Sequence, residues 1–361
     1  MHFVLMFVHK LSLYKIAEFS KSAAEVCAAA PPPTIGVGVT DRMIRLLAAT
    51  VGSVGVIIFI ARRLVRRANA RAAHAPLAFS SVTTHRAYGY KLSVSLPLRY
   101  HEHPDKTFPV LFALDSEPYL FGLLTICART NHFFARSYYF PDIIVVGVVA
   151  DIEAEHSRDG RVDAWALWQG MRPTRARDYL PTAAESPWGG PGAPSLLHVS
   201  GHADEFAATL AASLVPLIDR LYRTDPQRRA LIGKSFGGSG VASAMIHAQC
   251  GALFTQFIMC SPSLAWDDGA FFRIEAERRA TMVAQADPRM ALLPYGDVYC
   301  CAGSEEGTES VLRLKDCLDS RPGPHGECQV EIVQGETHGS VSYPFVHRAL
   351  EWLKTKWPES T

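Results

Sequence analysis

The sequence predicts an α/β domain with a mostly parallel sheet and helices on both faces. Two observations support this fold class. From about residue 76 onward, short strand-like runs alternate with helix-like segments. The runs at 110–114 and 143–149 are continuously apolar, as expected of strands that are covered on both faces. In such a sheet, ligand chemistry lies at the carboxyl ends of the strands.

The remaining elements follow from the same patterns, taken in chain order. Segment 90–96 alternates and suits a partly exposed strand, and segment 203–223 has apolar residues at helical spacing. Later strands are predicted at 257–260, 298–302 and 330–333, and later helices at 238–244, 307–318 and 341–357. Segment 153–200 lacks periodicity, so we interpret it as a long loop that forms a wall or lid over a site.

One motif stands at the centre of this pattern, within residues 229–240. An apolar run enters Gly-Lys-Ser-Phe-Gly, and a helix of small residues follows it. This is G-x-S-x-G between a strand and a helix, which predicts that Ser235 is an exposed nucleophile on a tight turn. Gly233 and Gly237 leave room for that turn, because a Cβ at either position would collide with a neighbouring element. The alternative is an ordinary strand-to-helix turn.

A serine nucleophile needs a base, and the base needs a carboxylate to orient it. In this architecture the chain order is serine, acid, histidine, with the last two on loops after late strands. The loop after 298–302 contains Glu305 and Glu306, and we favour Glu306 as the acid. The loop after 330–333 contains His338, the preferred base. Weaker alternatives are Asp297 for the acid and His198, His202, His247 and His347 for the base, and negative charge at a helix N-terminus would also explain the glutamates.

Two backbone N–H groups are expected to form the oxyanion hole. One belongs to Phe236, the residue after the nucleophile, and the other to the loop after 110–114, where Ser116 is the candidate. Trp266 follows Ser-Pro-Ser after another strand. It is expected either to line the substrate pocket or to pack in the core.

Composition limits the class of partner. The chain has 361 residues, 48% of them hydrophobic, and a formal net charge of +1. Basic side chains are in excess in residues 1–75 and acidic ones in residues 76–361. The globular part is therefore mildly acidic, which argues against nucleic acid as a partner.

The eight cysteines are scattered and form no C-x-x-C motif, which argues against a zinc site. No metal or organic cofactor is expected. Several cysteines lie in apolar strand-like runs, so we expect reduced thiols and a location facing the cytosol. A bridge between Cys317 and Cys328 stays open.

The N-terminal part predicts a membrane anchor. Residues 46–61 carry no charge and are flanked by arginines that can extend the span. The arginine-rich flank after residue 61 places the following domain in the cytosol, with a single membrane pass. The alternatives are a cleaved targeting peptide or a buried helix. The predicted organisation is an extension over 1–42, an anchor and basic linker over 43–75, and a catalytic domain over 76–361.

Six pieces of the sequence together resemble the esterase D-like branch of the α/β-hydrolases, in particular the group that contains ferric-siderophore esterases. They read F-P-V-L-F-A-L-D (108–115), R-D-Y-L-P-T (177–182), G-K-S-F-G-G (233–238), S-P-S-L-A-W (261–266), G-S-E-E (303–306) and E-T-H-G-S-V (336–341). They occur in the family's order and span roughly residues 80–355. Two positions depart from the family: Lys234 where histidine is frequent, and Ser116 where glycine is usual.

The resemblance implies an α/β-hydrolase fold and a serine esterase that acts on small-molecule esters, with Ser235 and His338 as the reacting pair. Arg177 and Tyr179, in the second matching piece, are then expected to contact substrate together with Trp266. Some members of the siderophore group work with a Ser–His pair that lacks a well-placed acid, which bears on Glu306. Related enzymes pass the acyl group to other acceptors, so acyltransferase and thioesterase activities are alternatives, as is an inactive membrane-tethered scaffold.

Overall fold

A twisted eight-stranded sheet forms the centre of the protein. The computed structural model describes residues 82–115, 120–134, 142–158, 161–162, 164–186, 195–284, 296–321 and 326–357. In sheet order 1-2-4-3-7-8-9-10, the strands are β1 Val82–Ala87, β2 Tyr90–Ser95, β4 Ile144–Ala150, β3 Phe108–Leu114, β7 Thr224–Lys234, β8 Gln256–Cys260, β9 Asp297–Gly303 and β10 Cys328–Val333. The two short strands β5 Ser157–Arg158 and β6 Arg161–Val162 pair separately.

Strand direction fits the predicted class. β2 runs antiparallel to both of its neighbours. The other pairings of the eight-stranded sheet, β4–β3, β3–β7, β7–β8, β8–β9 and β9–β10, are all parallel. Parallel strands need crossover connections, and helices supply most of them. The carboxyl ends of β7, β8, β9 and β10 therefore meet at one edge of the sheet.

The helices cover the two faces. They are α1 Leu120–Phe134, α2 Ala164–Tyr179, α3 Ala203–Thr209, α4 Val215–Leu221, α5 Phe236–Ile246, α6 Ala248–Gly251, α7 Ala270–Ala284, α8 Glu309–Asp319 and α9 Ser342–Lys356. A π-helical turn, Leu210–Leu214, joins α3 to α4.

Alternation along the central strands divides the core into two layers. In β3, Phe112 and Leu114 face the layer that contains α2, α3 and α5, whereas Leu111 and Ala113 face the layer of α1 and α9. All four side chains are fully buried. Period-2 alternation with apolar residues on both sides explains why the strand appears as one continuous apolar run.

Most predicted elements appear within a few residues of their expected bounds, but three differences have clear causes. Segment 153–200 contains the 16-residue helix α2, so its interpretation as a long loop is wrong in part. Charged and apolar residues do not segregate to opposite faces of α2, and Pro173 lies inside it, so it gave no helical signal. β2 is almost wholly buried rather than partly exposed, because Tyr90, Leu92 and Val94 pack into the core on one face and Arg129 of α1 contacts Ser95 on the other. β1 is polar and largely exposed, and was not predicted.

The predicted anchor at residues 46–61 lies outside the described residues. Within the part of the chain that the structure describes, there is no helix with the length and apolar character needed to cross a bilayer. The described residues belong to one compact unit, Pro76–Thr361.

Candidate active site

Ser235 lies on a sharp turn between β7 and α5. Its backbone has φ 56° and ψ −122°, a left-handed conformation that non-glycine residues rarely adopt. The turn brings Gly233 so close to Gly237 that a Cβ at position 233 would lie 2.3 Å from the carbonyl oxygen of Gly237. The N–H of Ser235 donates to the carbonyl oxygen of Cys260 on the next strand (2.9 Å). These contacts hold the side chain of Ser235 at the carboxyl edge of the sheet.

Three side chains from three loops meet at this edge. Nε2 of His338 lies 3.1 Å from Oγ of Ser235, although the residues are 103 positions apart. Nδ1 of His338 lies 2.6 Å from Oε2 of Glu306. The structure thus brings together the predicted nucleophile, base and acid. Glu305, by contrast, is exposed, and its carboxylate accepts a hydrogen bond from Oγ of Ser304 (3.2 Å).

The loops that carry Glu306 and His338 are joined by backbone contacts. The N–H of Ser304 donates to the carbonyl oxygen of Val333 (3.0 Å), and that of Glu305 donates to the carbonyl oxygen of Glu336 (3.0 Å). At Gly303 the chains approach so closely that a Cβ would lie 2.1 Å from the carbonyl oxygen of Glu336. This glycine therefore permits the approach that places the carboxylate beside the imidazole.

Glu306 is well supplied with hydrogen-bond donors. Its Oε1 accepts bonds from the backbone N–H of Gly303 (2.7 Å) and from the hydroxyl of Ser261, while Oε2 faces His338. Burial alone would raise the pKa of this carboxyl group, but the hydrogen bonds from His338, Ser261 and Gly303 outweigh it and hold the pKa below its usual value. The charged form is therefore favoured. Sequence reasoning assigned no role to Ser261, although it lies in the matched piece S-P-S-L-A-W.

Of the two predicted oxyanion donors, Phe236 lies among the described residues and Ser116 does not. Phe236 is the first residue of α5, directly after Ser235, and it lines the cavity described below. The loop after β3 begins at Asp115, with φ 58°, and Ser116 lies outside the described residues.

The three predicted substrate-binding residues make contacts other than the predicted ones. Trp266 is 1% exposed, its indole N–H donates to the carbonyl oxygen of Thr182 (3.1 Å), and its ring meets that of Phe236 edge-on. Trp266 therefore follows the core-packing alternative. Tyr179 is also buried, and its hydroxyl accepts from the N–H of Asp115 (3.1 Å). The guanidinium of Arg177 pairs with Asp178. These three residues are not among those that line the cavity.

A different residue of α2, Arg175, reaches the site. Its guanidinium pairs with the carboxylate of Asp115 and lies over the ring of Phe236, 5.3 Å from the centroid. Burial raises the pKa of Asp115, and the charge of Arg175 partly offsets that effect. The pair joins the loop after β3 to the wall of the cavity.

The cavity beside Ser235 has a volume of about 910 Å³. Pockets for small molecules span about 300–1,000 Å³, so this one is large enough for a substrate well beyond an acetyl ester. α2 supplies part of the wall, as predicted for segment 153–200. Other parts come from the loop after β8, from α7 and α8, and from the turn and loops that carry Ser235, Glu306 and His338. Its charged lining residues are Arg172, Arg175, Arg313, Asp268, Glu306 and Glu309.

The cysteines of the described residues are free thiols. None of the seven in the described residues forms a disulfide. The thiol of Cys317 instead lies 3.3 Å from a carboxylate oxygen of Glu275. The bridge to Cys328 that the sequence left open is thus not formed.

Comparison with known proteins gives one family match. The family model described as Putative esterase matches residues 184–321, a segment that includes Ser235 and Glu306. The chain is similar to this family over that segment. It is thus a carboxylic ester hydrolase, as the sequence predicted. No curated protein sequence matches this esterase significantly.

Solved structures share the fold of this esterase. The siderophore hydrolase EstA from Aspergillus nidulans is 20% identical, with a TM-score of 0.58 over 78% of this chain and 97% of that one. The IroE-like serine hydrolase from Shewanella oneidensis is 19% identical, with a TM-score of 0.58 over 78% and 81%. The BES protein from Bacillus cereus is 20% identical, with a TM-score of 0.57 over 76% and 95%. At these identities the similarity establishes the α/β fold of the esterase domain.

Proposed function

We propose that this esterase cleaves carboxylic esters through an acyl-Ser235 intermediate, with His338 as general base and Glu306 as the acid that orients it. One observation carries the proposal: Ser235, His338 and Glu306 form an unbroken series of hydrogen bonds on the wall of the cavity. Their order in the chain is the one that this architecture requires.

The hydrogen bonds fix where the protons lie. An ionised carboxylate can only accept, so Nδ1 of His338 carries a proton and donates it to Oε2 of Glu306. Nε2 of the neutral ring then has a lone pair and accepts from the hydroxyl of Ser235. This is the tautomer that general-base catalysis needs, and the pKa of Glu306, held below its usual value, keeps the carboxylate charged near neutral pH.

The reaction follows in two halves. Oγ of Ser235 attacks the ester carbonyl carbon as Nε2 of His338 takes its proton, and a tetrahedral intermediate forms. His338 returns the proton to the alcohol oxygen as that bond breaks, which leaves the acyl group on Ser235. Water then attacks the acyl carbon as Nε2 of His338 takes its proton. His338 returns that proton to Oγ of Ser235 as the acyl–Oγ bond breaks, and the carboxylic acid product is released. Glu306 stabilises the imidazolium in both halves.

Negative charge develops on the carbonyl oxygen in each tetrahedral intermediate. We assign its first donor to the backbone N–H of Phe236, because this residue starts α5 directly after the nucleophile. The positive end of the α5 dipole adds to that stabilisation. Ser116 stays the proposed second donor.

A serine knockout tests the proposal. We expect Ser235→Ala to abolish turnover of p-nitrophenyl acetate and labelling by a fluorophosphonate probe, with little change in melting temperature. Ser243→Ala is a matched control: this buried serine lies on α5, and its hydroxyl has no hydrogen-bond partner among the described residues. Turnover by Ser235→Ala at the wild-type rate would rule out the nucleophile.

The substrate class needs a separate measurement. The cavity volume supports esters larger than acetate, and three structural neighbours in the comparisons are siderophore or IroE-like hydrolases. We therefore include siderophore esters in the proposal. A panel of p-nitrophenyl esters of increasing acyl length, together with a siderophore trilactone, ranks these classes by kcat/KM. A steep decline in kcat/KM for acyl groups longer than acetyl, with no cleavage of the trilactone, would exclude large esters and siderophore esters as substrates.

We also propose, from sequence alone, that residues 46–61 anchor the chain to a membrane with the esterase domain on the cytosolic side. The uncharged run and its flanking arginines support this proposal. Protease digestion of sealed membranes tests it: the domain is degraded without detergent if it faces the cytosol. Protection of the domain, or its complete release by salt and carbonate, would contradict the proposal.

A further inference from the structure

Ser261 occupies an unusual backbone position next to the site. It directly follows β8, is 5% exposed and has φ 42°, a conformation that favours glycine. Its N–H donates to the carbonyl oxygen of Cys301 on β9 (2.7 Å). A strained non-glycine residue persists where its surroundings fix it, and such residues cluster at functional sites.

The hydroxyl of Ser261 has a definite target. It donates to Oε1 of Glu306, the oxygen that also accepts the N–H of Gly303 (2.7 Å). The thiol of Cys260 is a weaker neighbour, with Sγ 3.8 Å from Oγ of Ser261. Two donors from the ends of adjacent strands, β8 and β9, thus converge on one carboxylate oxygen.

This arrangement divides the two oxygens of Glu306 between two tasks. Oε1 accepts the hydrogen bonds from Ser261 and Gly303 at the ends of β8 and β9, whereas Oε2 faces Nδ1 of His338 (2.6 Å). Fixing Oε1 at two points removes the rotation of the carboxylate that would otherwise swing Oε2 away from the imidazole. Glu306 lies on a loop, so rigidity at this position has to come from such neighbours.

We propose that Ser261 is a positioning residue of the esterase, which holds the Glu306 carboxylate so that Oε2 orients His338. The inference rests on the proposed roles of Ser235, His338 and Glu306. It adds a fourth side chain, supplied by β8, to a set whose other members follow β7, β9 and β10. Ser261 acts through Glu306 and touches no reacting atom.

The test is a double-mutant cycle on p-nitrophenyl acetate hydrolysis. Ser261→Ala removes the hydroxyl, and we expect kcat to fall by about 10-fold or more with KM unchanged, because a bond to a charged group is lost. In a Glu306→Ala background the same change should have no further effect, since no carboxylate remains to be held. A merely structural role for Ser261 would lower activity by the same factor in both backgrounds.

A second variant separates the hydroxyl from the backbone. Ser261→Gly also lacks the hydroxyl, but glycine adopts φ 42° without strain. We expect it to fold at least as well as the wild type and to lose kcat as Ser261→Ala does. Ser243→Ala, on α5, is the control that keeps the wild-type kcat. Wild-type kcat in both Ser261 variants, equal losses with and without Glu306, or unfolding of both would overturn the inference.

Failure of the inference is distinguishable from failure of the proposed function. Ser235→Ala is measured beside the cycle. Activity in that variant would refute the assignment of Ser235 as the nucleophile. An inactive Ser235→Ala together with unaffected Ser261 variants would refute only the role of Ser261.

Discussion

Nδ1 of His338 lies 2.6 Å from Oε2 of Glu306, the second of two adjacent glutamates on one loop. Its neighbour Glu305 is exposed and bonds to Ser304 instead. The two side chains leave the same stretch of backbone, yet only one faces the imidazole. Glu305 and Glu306 therefore allow a matched experiment, because they carry the same charge and are adjacent in the chain.

The first prediction uses that pair. Glu306→Gln should lower kcat for p-nitrophenyl acetate on the order of 10⁴-fold, because an amide no longer fixes the tautomer or stabilises the imidazolium. Glu305→Gln should leave kcat close to that of the wild type. Steady-state kinetics of the two variants decides the matter. Similar losses in both, or none in Glu306→Gln, would contradict the assignment of the acid.

The second prediction concerns stability and pH. The pKa of Glu306 lies below its usual value in the folded protein. At acidic pH the carboxyl group is therefore protonated to a smaller extent in the folded state than in the unfolded state. Its stabilising contribution is present above the unfolded pKa of about 4.3 and is lost as pH falls through the lowered folded value.

Denaturant unfolding of the wild type and of Glu306→Gln measures this effect. The difference in free energy of unfolding should be largest near neutral pH and should shrink as the pH falls to about 3. The variant has no carboxyl group at this position, so it supplies the baseline. A difference that stays constant over this pH range would show that the hydrogen bonds to Glu306 do not favour its charged form.

The third prediction tests the turn at the nucleophile. A Cβ at Gly233 would lie 2.3 Å from the carbonyl oxygen of Gly237, so Gly233→Ala must distort the turn. We expect loss of fluorophosphonate labelling and a clear fall in melting temperature. Gly122 in α1 has nothing within 4 Å of its ideal Cβ, so Gly122→Ala should keep activity and gain about 0.5–1 kcal/mol of helix stability. A fully active Gly233→Ala would show that the turn has room to relax.

The fourth prediction concerns the buried ion pair of Asp115 with Arg175. Arg175→Met leaves the carboxylate of Asp115, whose side chain is 7% exposed, without that partner and should destabilise the fold by about 3–5 kcal/mol. Burial already raises the pKa of Asp115, and loss of Arg175 raises it further. The native variant then holds its proton to higher pH than the unfolded chain, so its destabilisation should grow as pH rises above about 4.

An exposed pair is the comparison. Arg348 pairs with Glu331 on the surface, and Arg348→Met should cost only about 0–1 kcal/mol. Urea unfolding of each variant and of the wild type, at about pH 4 and at about pH 7, gives the loss in free energy of unfolding for both variants at both pH values. Equal, pH-independent losses would mean that the buried pair is no more important for stability than the surface pair.

Much of the fold followed from local patterns. The strands at the site are continuous apolar runs, and such runs need only burial on both faces to be recognised. The elements that were missed carry weaker signals. α2 mixes charged and apolar residues on all sides and contains Pro173, and β1 is exposed at the sheet edge, so neither shows the periodicity on which prediction relies.

The substrate side was the least predictable part. Trp266 and Tyr179 are large aromatic residues in matched pieces, a pattern that fits a pocket wall and a core equally well. Packing decides between the two, and both are buried. Arg175, only two positions before Arg177, lines the cavity while Arg177 does not, because successive helical residues point in different directions.

The sequence by itself determined the order of the chemistry. G-x-S-x-G after an apolar run, a carboxylate loop after the next-to-last strand and a histidine after the last one require only that parallel strands end at one edge. Tertiary structure alone decided that Glu306 rather than Glu305 meets His338, and that Ser261 holds its other oxygen. These choices depend on side-chain directions set by contacts between loops, such as that of Gly303 with Glu336. Such contacts join residues far apart in the chain, and no local pattern specifies them.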